Sequence, residues 1–531
     1  MEYNKAQLEA INSTDSHILC LAAAGSGKTS VLVSRISHLV DTGVDPASIL
    51  VLTFTNAAAQ EMSERYCKMQ SRNTKPTFGT FHSFCYRLIV RDPIIRTSLG
   101  YDAAPTLASD AQLKKIRTSC KMMLGIKLSE EKLNGDPKFL NAKDRFQYDL
   151  FQKRFDQELK KAGLITFDIM CYAVAKLFSE NALPSIKWKS AYRYVFVDEF
   201  QDTDKKQWGF VRSFTDSSIF VVGDPRQAIY RFRGADSEII KRLAEDDSWT
   251  TIKLEENYRS TEQICAAANK THDVIWGDSK YNIKLHANKS GDKVEHRNYE
   301  MLPESDIVLK LIAGASDGDS IAILCRTNRE VEAMCGILGK YNIPFTSKQE
   351  TDNSQQIVRA AIDPAFAIEW MSSQLKQEDY AEYIRQAAII PDITTDRTVF
   401  LRTVGQKIRD LTLKVEGVAS ILDTDSPAKD KFELILRLLD KDPATKCDVQ
   451  TDEDIIKFFT DNKFVKNVKG SIYVGTIHSS KGLEYDRVHL MGVGSYSFRI
   501  GNLDEDNLNL YYVGITRARE HLTIWEGSVL N

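Results

Sequence analysis

The sequence predicts an α/β protein made of two α/β units in tandem, each interrupted by a mainly helical insertion. Two observations carry that expectation. Short apolar runs that read as buried strands recur along the chain, and each ends in small, polar or charged residues, the edge at which open α/β sheets hold ligands. A five-residue device, Gly79-Thr80-Phe81-His82-Ser83, returns in kind as Gly475-Thr476-Ile477-His478-Ser479, as two related units with equivalent strand ends would require.

The first element is the clearest. Ile18-Leu19-Cys20-Leu21 reads as a buried strand. It passes through Ala22-Ala23-Ala24-Gly25-Ser26-Gly27-Lys28-Thr29-Ser30 into a helical pattern of Val31, Leu32, Ile36, Leu39 and Val40. This is the phosphate-loop spacing, with Ala22 at the place of the usual first glycine. Residues without bulk let backbone N–H groups curl around a triphosphate, and the helix N-terminus adds its dipole. Lys28 is placed for the β- and γ-phosphates, and the Thr29 hydroxyl for Mg²⁺. Upstream, the amide of Gln7 is a candidate adenine reader.

The next strand is Ile49 to Leu52, followed by a helix over AAAQEMSERYCKM; the segment Phe78 to Ser83 opens another. From 85 to 190 helical patterns rich in Lys, Phe and Leu take over. Phe146, Phe151 and Phe155 interleave there with Arg145, Lys153 and Arg154, a spacing that reads as core packing beneath a solvated basic face. Strands return at Tyr194–Val197, Ile219–Val222 and Thr251–Leu254, so the helical block is an insertion into the first unit. The second unit begins near 260, with strands at 321–324, 472–474, 488–491 and 522–525. Another helical block fills roughly 350 to 450.

Bulk properties narrow the class. The 531 residues carry a net charge of −3, with 43% apolar and 27% charged residues. That balance supplies real cores but no overall basic signature, so any nucleic-acid site is a local groove. The nine cysteines never form a CxxC pair, which points to a reducing compartment rather than a disulfide framework. No run has the length of a membrane span and the N-terminus lacks a signal-peptide core. A soluble, cytoplasmic enzyme is expected, nucleoid-associated in a bacterium.

Several residues carry chemistry. Asp198-Glu199 ends an apolar strand; beside a phosphate loop, Asp198 suits the metal shell and Glu199 the activation of water. Gln227 follows the Gly223-Asp224 strand end, placed to sense a γ-phosphate. Arg259 and Arg517 are candidates to stabilise charge on the transferring phosphoryl group. With Arg517 in the second unit, the nucleotide lies in the cleft between units. RQAIYRFRGA, residues 226–235, interleaves Tyr230 and Phe232 with three arginines, and Phe54, His82 and His478 lie at the same sheet edge. Aromatic faces beside arginines suit a single-stranded nucleic-acid track.

In order, AAAGSGKTS, LTFTNAAAQEM, GTFHSF, VFVDEFQDT, VVGDPRQAIYRFRGAD, LEENYRS, VGTIHSSKGLEYD and LYYVGITRARE resemble the motifs of the UvrD/Rep/PcrA-type superfamily-one DNA helicases, from residue 22 to 520. The resemblance implies two RecA-like P-loop domains, each with an insertion. The first domain is 1–84 with 186–258, its insertion 85–185; the second is 259–349 with 451–531, its compact helical insertion 350–450. It implies ATP and Mg²⁺ between the domains and ATP-driven 3′-to-5′ movement on single-stranded DNA, with opening of single-/double-strand junctions. Carried over by motif, Gln7, Tyr258, Glu484 and residues 24–30 surround the nucleotide. Lys28, Thr29, Asp198, Glu199, Gln227, Arg259 and Arg517 surround the triphosphate and metal. Phe54, Asn56, Thr80, His82, Tyr230, Phe232, Thr476, His478 and Lys481 contact DNA.

The departures from the family pattern are local. Ser30 stands where a basic residue commonly covers the adenine, and Phe232 replaces the usual tryptophan. GDPRQAIYRFRGAD looks more like the RecB/AddA branch, the acidic-basic run before YVGITRA is reduced to DEDNLNL, and the second insertion is short. With nothing after Asn531, no C-terminal nuclease is expected. These changes leave the ATPase reading intact. They also favour an alternative in which the chain is a motor or regulatory subunit, partnered by a nuclease or repair factor, in repair, recombination, phage replication or anti-phage defence. A phosphate-loop enzyme with no nucleic-acid role has to explain away RQAIYRFRGA and TIHSSKG.

Overall fold

The computed structural model describes residues 3–70, 74–134, 140–180, 182–314, 318–341, 343, 345–347, 354–362, 406–424, 426–439, 450–461, 472–496, 498–499 and 504–529. Contacts divide the chain into two compact units: 1–315 with 322–327 and 476–531, and 316–321 with 328–475.

The first sheet has six parallel strands: β1 (His17–Ala22), β2 (Ile49–Thr53), β3 (Thr77–Thr80), β4 (Tyr194–Val197), β5 (Ser218–Gly223) and β6 (Thr250–Leu254), in the order β3-β2-β4-β5-β1-β6. β1 lies between β5 and β6 and is buried on both faces, which is why it reads as an unbroken apolar run. Parallel pairing brings Ala22, Thr53, Thr80, Val197 and Gly223 to one edge, and every candidate phosphate residue of the first unit follows one of those ends. Helix α1 (Lys5–Asn12) and helix α2 (Lys28–Asp41) cover one face. Val31, Leu32, Ile36 and Val40 are fully buried in a core with Ile18, Cys20 and Ala22, each large aliphatic stabilising by roughly 1.5–3 kcal/mol. Arg35 closes the end of α1 by donating to the Ala10 and Ile11 carbonyls at 2.8 and 3.2 Å. Helix α3 (Asn56–Met69) follows β2, and helix α4 (Phe81–Arg91) follows β3.

β3 was not expected as a strand. Its sequence, TFGT, carries one large apolar residue, and it is defined by its register on β2, with Leu52 opposite Gly79. The helical insertion has its own core. In it helix α5 (Asp110–Leu124) and helix α6 (Ala142–Lys161) bury Cys120, Phe151, Phe155 and Leu159, and helix α7 (Phe167–Ser179) follows. Phe151 and Phe155 stack at 5.7 Å beneath the Arg117 guanidinium, whereas Phe146 is exposed. The stripe is core packing for two of its three rings.

After helix α8 (Glu262–Trp276) comes a second six-stranded parallel sheet: β7 (Glu295–Asn298), β8 (Ile321–Cys325), β9 (Phe345–Ser347), β10 (Ile472–Thr476), β11 (Tyr485–Val493) and β12 (Ala518–Glu526). β12 lies between β7 and β11, and β9 pairs with β10. Helices α9 (Ser354–Ile362), α10 (Gln406–Leu422), α11 (Ala428–Leu438) and α12 (Asp452–Asp461) bury Val358, Val418, Ile435 and Ile455 together. Residues 363–405 and 440–449 of the expected second insertion lie outside the described residues. Helix α13 (Glu505–Ile515) precedes β12.

Two buried histidines fix a pH dependence. His489 donates from Nε2 to the Leu311 carbonyl at 3.0 Å and accepts the Trp525 indole N–H on Nδ1 at 3.2 Å. His272 meets Asn509 Oδ1 through Nε2 at 2.8 Å, an orientation set by the Asn509 amide donating to the Ala228 carbonyl. Burial pushes both down to about 4. A base held below its unfolded pKa gives stability that is full above about 6.5 and lost as pH falls through the folded value. The melting temperature therefore declines from pH 6.5 towards 4, and the His489 ring resonances stay at their neutral positions until near pH 4. A His489 titration centred at 6.5 would contradict this.

Candidate functional site

The turn after β1 needs two left-handed residues, and glycine supplies both: Gly25 at φ 71° and Gly27 at φ 80°. A Cβ on Gly25 would sit 2.8 Å from the side chains of Asn257 and Arg259. The turn is held from three sides. Gln7, in a capping box with Asn4, donates to the Ser26 carbonyl at 3.0 Å. Asn257 donates to the Ala24 carbonyl at 2.7 Å, and the Tyr258 N–H to the Gly25 carbonyl at 3.0 Å. Tyr258 keeps an exposed ring, its hydroxyl accepting from Asn4 at 2.9 Å. Lys28, Thr29 and Ser30 form the first turn of α2, and Ser30 Oγ accepts from Arg65 at 3.4 Å.

Facing this turn, β4 delivers Asp198 and Glu199. Glu199 has a positive φ of 49°, an uncommon state for a side-chain-bearing residue and a common one at functional sites. Lys28 Nζ lies 3.5 Å from Glu199 Oε1. Burial opposes the charge on Lys28, but Glu199, Asp224 and Asp198 outweigh it and its pKa rises. The two carboxyls part company. Burial, with Glu199 beside it, pushes Asp198 up to about 7. Burial also opposes ionisation of Glu199, but Lys28, Lys481 and the Gln201 amide prevail and bring it down to about 2. Asp198 Oδ1 and Ser26 Oγ are buried and find no hydrogen-bond partner among the described residues.

Gln227 donates to Asp224 Oδ2 at 3.0 Å, and the same carboxylate oxygen accepts the Tyr512 hydroxyl at 2.9 Å. Arg259 is paired with Glu484 at 2.6 Å and donates to the Thr516 carbonyl at 3.0 Å. Glu484 thus answers Arg259, and Arg519 as well. Arg517 is buried, its guanidinium donating to the Val513 and Leu483 carbonyls at 3.0 Å and to Thr516 Oγ1 at 3.2 Å. Burial and then the repulsion of Arg259 push it down to about 9.

A row of rings lies beside the carboxylates. Phe54 stacks on Tyr230 at 5.3 Å and 13°, and Phe232 meets His478 edge-on at 5.6 Å. Tyr230 is 6.2 Å from Phe232 and 6.4 Å from His478. Arg233 lies over both Tyr230 and Phe232. Phe232 is 71% exposed, and Asn56 is exposed at the start of α3. His82 meets Phe167 edge-on at 5.4 Å. Thr80 and Thr476 repeat one another: each accepts a backbone N–H three residues on, and Ser83 and Ser479 hydroxyls each return a bond to the threonine carbonyl. The internal echo is one hydrogen-bonded cap built twice.

Lys481 lies half-buried between the two arrays. Its ammonium meets Asp202 at 2.5 Å and the Gln227 carbonyl at 2.9 Å, and sits 4.9 Å from the Tyr230 ring centre. Four residues were not singled out from sequence: Gln201, Asp202, Asn257 and Tyr512. Gln201 is fully buried, donating to Glu199 and accepting from the Asp224 N–H at 3.1 Å. All four stand in the quoted motif strings, but only long-range contacts reveal what they hold. Among the described residues no cluster of three His, Cys, Asp or Glu side chains forms a metal cage, and no helix is long and apolar enough to cross a membrane.

Comparison with known proteins gives matches to two family models. The UvrD/REP helicase N-terminal domain matches residues 3–248, and the UvrD-like helicase C-terminal domain matches 252–361 and 382–527. Similar curated proteins named ATP-dependent DNA helicase PcrA come from Staphylococcus epidermidis, Staphylococcus aureus and Leuconostoc citreum. They are 27%, 26% and 27% identical over 98% of this chain and 83%, 82% and 81% of their own lengths.

Proposed function

The chain belongs to the UvrD/REP family of ATP-dependent DNA helicases, and on that footing we propose that it moves 3′ to 5′ on single-stranded DNA and opens duplex at single-/double-strand junctions. The reading takes 1–84 with 186–258 and 259–349 with 451–531 as the two motor domains, and 85–185 and 350–450 as their insertions. The observation that carries it is Lys481. One ammonium touches Asp202, in the segment that bears Asp198 and Glu199, and also the Gln227 carbonyl and the Tyr230 ring, which belongs to the aromatic row. A change at either array moves a group held by the other.

The residues present fit a magnesium triphosphate. Two left-handed glycines open a cradle, Ser26 Oγ and Asp198 Oδ1 are buried without partners among the described residues, Arg517 is a buried cation and Lys28 a half-buried one. Thr29 and Asp198 would hold the metal, whose charge would neutralise phosphate oxygens. Glu199, ionised and oriented by Gln201, is the base for water; Gln227 reports on the phosphate through Asp224; Arg517 stabilises the charge that develops. Gln7 and Tyr258 frame the adenine, with Glu484 at the sugar. Phe54, Tyr230, Phe232 and His478 offer stacking faces to successive bases, and Asn56, Thr80, His82, Thr476 and Lys481 complete the track.

Phe232 is the most exposed ring of the row, so Phe232→Ala is expected to weaken single-strand binding by about 1–3 kcal/mol with ATP affinity unchanged. Fluorescence anisotropy on a labelled oligonucleotide checks this, and an unaltered affinity removes Phe232 from the track. The function itself is tested by ATP-dependent strand displacement on duplexes bearing a 3′ or a 5′ single-stranded tail. Displacement from the 3′ tail alone supports the proposal. Hydrolysis stimulated by single strands without displacement would favour a motor subunit that works with a nuclease or repair partner.

A further inference from the structure

We propose that Cys85 and Cys171 form a peroxide-sensitive dithiol whose disulfide fastens α7 to α4, the helix that presents His82. Cys85 lies on α4, which leaves the end of β3, and Cys171 lies on α7 of the insertion; the two helices pack against each other. The Cys85 thiol hydrogen-bonds the Cys171 sulfur, and His82, one turn before Cys85, hydrogen-bonds it too. The His82 ring rests edge-on against Phe167, one turn before Cys171. Two sulfurs and an imidazole from two helices therefore converge at one point.

The environment makes the two sulfurs unequal. Cys85 is buried and Cys171 is partly exposed. The Cys85 thiol and His82 bring Cys171 down to about 6 against the opposing effects of burial and the Asp204 carboxylate. The hydrogen bond to Cys171, together with burial, holds Cys85 well above the ordinary thiol range. Buried Cys20 and Cys265 lack such partners, and burial pushes each up to about 12. A partly exposed thiolate beside a buried thiol is the arrangement of an attacking sulfur with a resolving one.

The oxidant is hydrogen peroxide. The Cys171 thiolate attacks one peroxide oxygen; the S–O bond forms, the O–O bond breaks, and the departing hydroxide takes a proton to become water. Cys85 then gives up its thiol proton and attacks the Cys171 sulfur. The S–S bond forms, the S–O bond breaks, and the second hydroxide leaves as water on taking that proton. The sulfurs lose two electrons and the peroxide gains them. In a reducing compartment the bond is transient and reversed by thiols. Its consequence for binding rests on the reading of His82 as a DNA contact, because the cross-link fixes the helix that presents that ring.

The test treats the whole chain with hydrogen peroxide, alkylates the remaining thiols, and maps peptides without reduction. A Cys85–Cys171 linked peptide is expected, lost on dithiothreitol treatment and absent from Cys171→Ser and Cys85→Ala. Recovery of both as alkylated thiols, or Cys171 carried to the sulfinic acid with Cys85 free, would overturn the proposal. In parallel, peroxide should weaken binding of a single-stranded oligonucleotide several-fold in the wild type and not in Cys171→Ser; equal loss in both would overturn the stapling role. A chain that binds no oligonucleotide before oxidation would fail the functional reading instead, and the peptide map would still decide the dithiol.

Discussion

Lys28→Ala is expected to lower ATP turnover by about 10²–10³-fold, the range for losing one preorganised donor to the charge that develops, while the fold is retained. The contact to phosphate is half of the reason. Lys28 stands 3.5 Å from Glu199 and, through its charge, also faces Asp224 and Asp198. It is the first of the groups that hold Glu199 in its ionised form. With alanine there, the nearest counter-charge to Glu199 is Lys481, already engaged by Asp202. Glu199 then takes up protons at a higher pH, so the base for water is weakened along with the phosphate clamp. Lys28→Met keeps the volume and removes only the charge, and it should fail equally. Phosphate release under saturating single-stranded DNA measures both variants. Turnover within tenfold of wild type in either one would remove Lys28 from the phosphate site.

What the sequence carried best was what short-range physics determines. β1 is apolar throughout because it is buried on both faces, and the turn after it is recognisable because Gly25 and Gly27 take backbone states that other residues avoid. What it carried poorly was whatever depends on a neighbour far along the chain. Thr77–Thr80 and Glu295–Asn298 have no strand pattern of their own; each is a strand because β2 or β12 offers it an edge. Gln201, Asn257 and Tyr512 are letters inside readable motifs, yet their work lies in bonds to Asp224, Ala24 and again Asp224, which no spacing rule anticipates. His82 shares a sheet edge with Phe54, but its ring is turned to Phe167 because α7 packs there. The chemistry was legible where one segment supplies it, and illegible where two segments must meet.

Arg517→Ala is expected to reduce kcat by about 10³–10⁵-fold, the range for an arginine that stabilises a transferring phosphoryl group, with a much smaller change in KM. The guanidinium is buried, anchored to Val513, Leu483 and Thr516, and held down to about 9 by burial and by Arg259. At neutral pH it stays charged, so it is a cation kept at some cost in stability and answered only in part by Glu199. A polyanion in the site would relieve that cost most where its charge is greatest, which is at the γ-phosphoryl group as its bond breaks. The rate therefore falls more than the affinity. Alanine also removes the Arg517 donor from the Leu483 carbonyl and leaves the Val513 carbonyl with the Thr516 hydroxyl, so the variant should melt at a lower temperature. Arg517→Lys separates the two effects, since it restores charge without the three-way anchor and should recover part of kcat. An Arg517→Ala enzyme that melts early yet turns over at the wild-type rate would show that this arginine is a structural strut. Arg259, tied to Glu484 in the structure, would then be the group to examine.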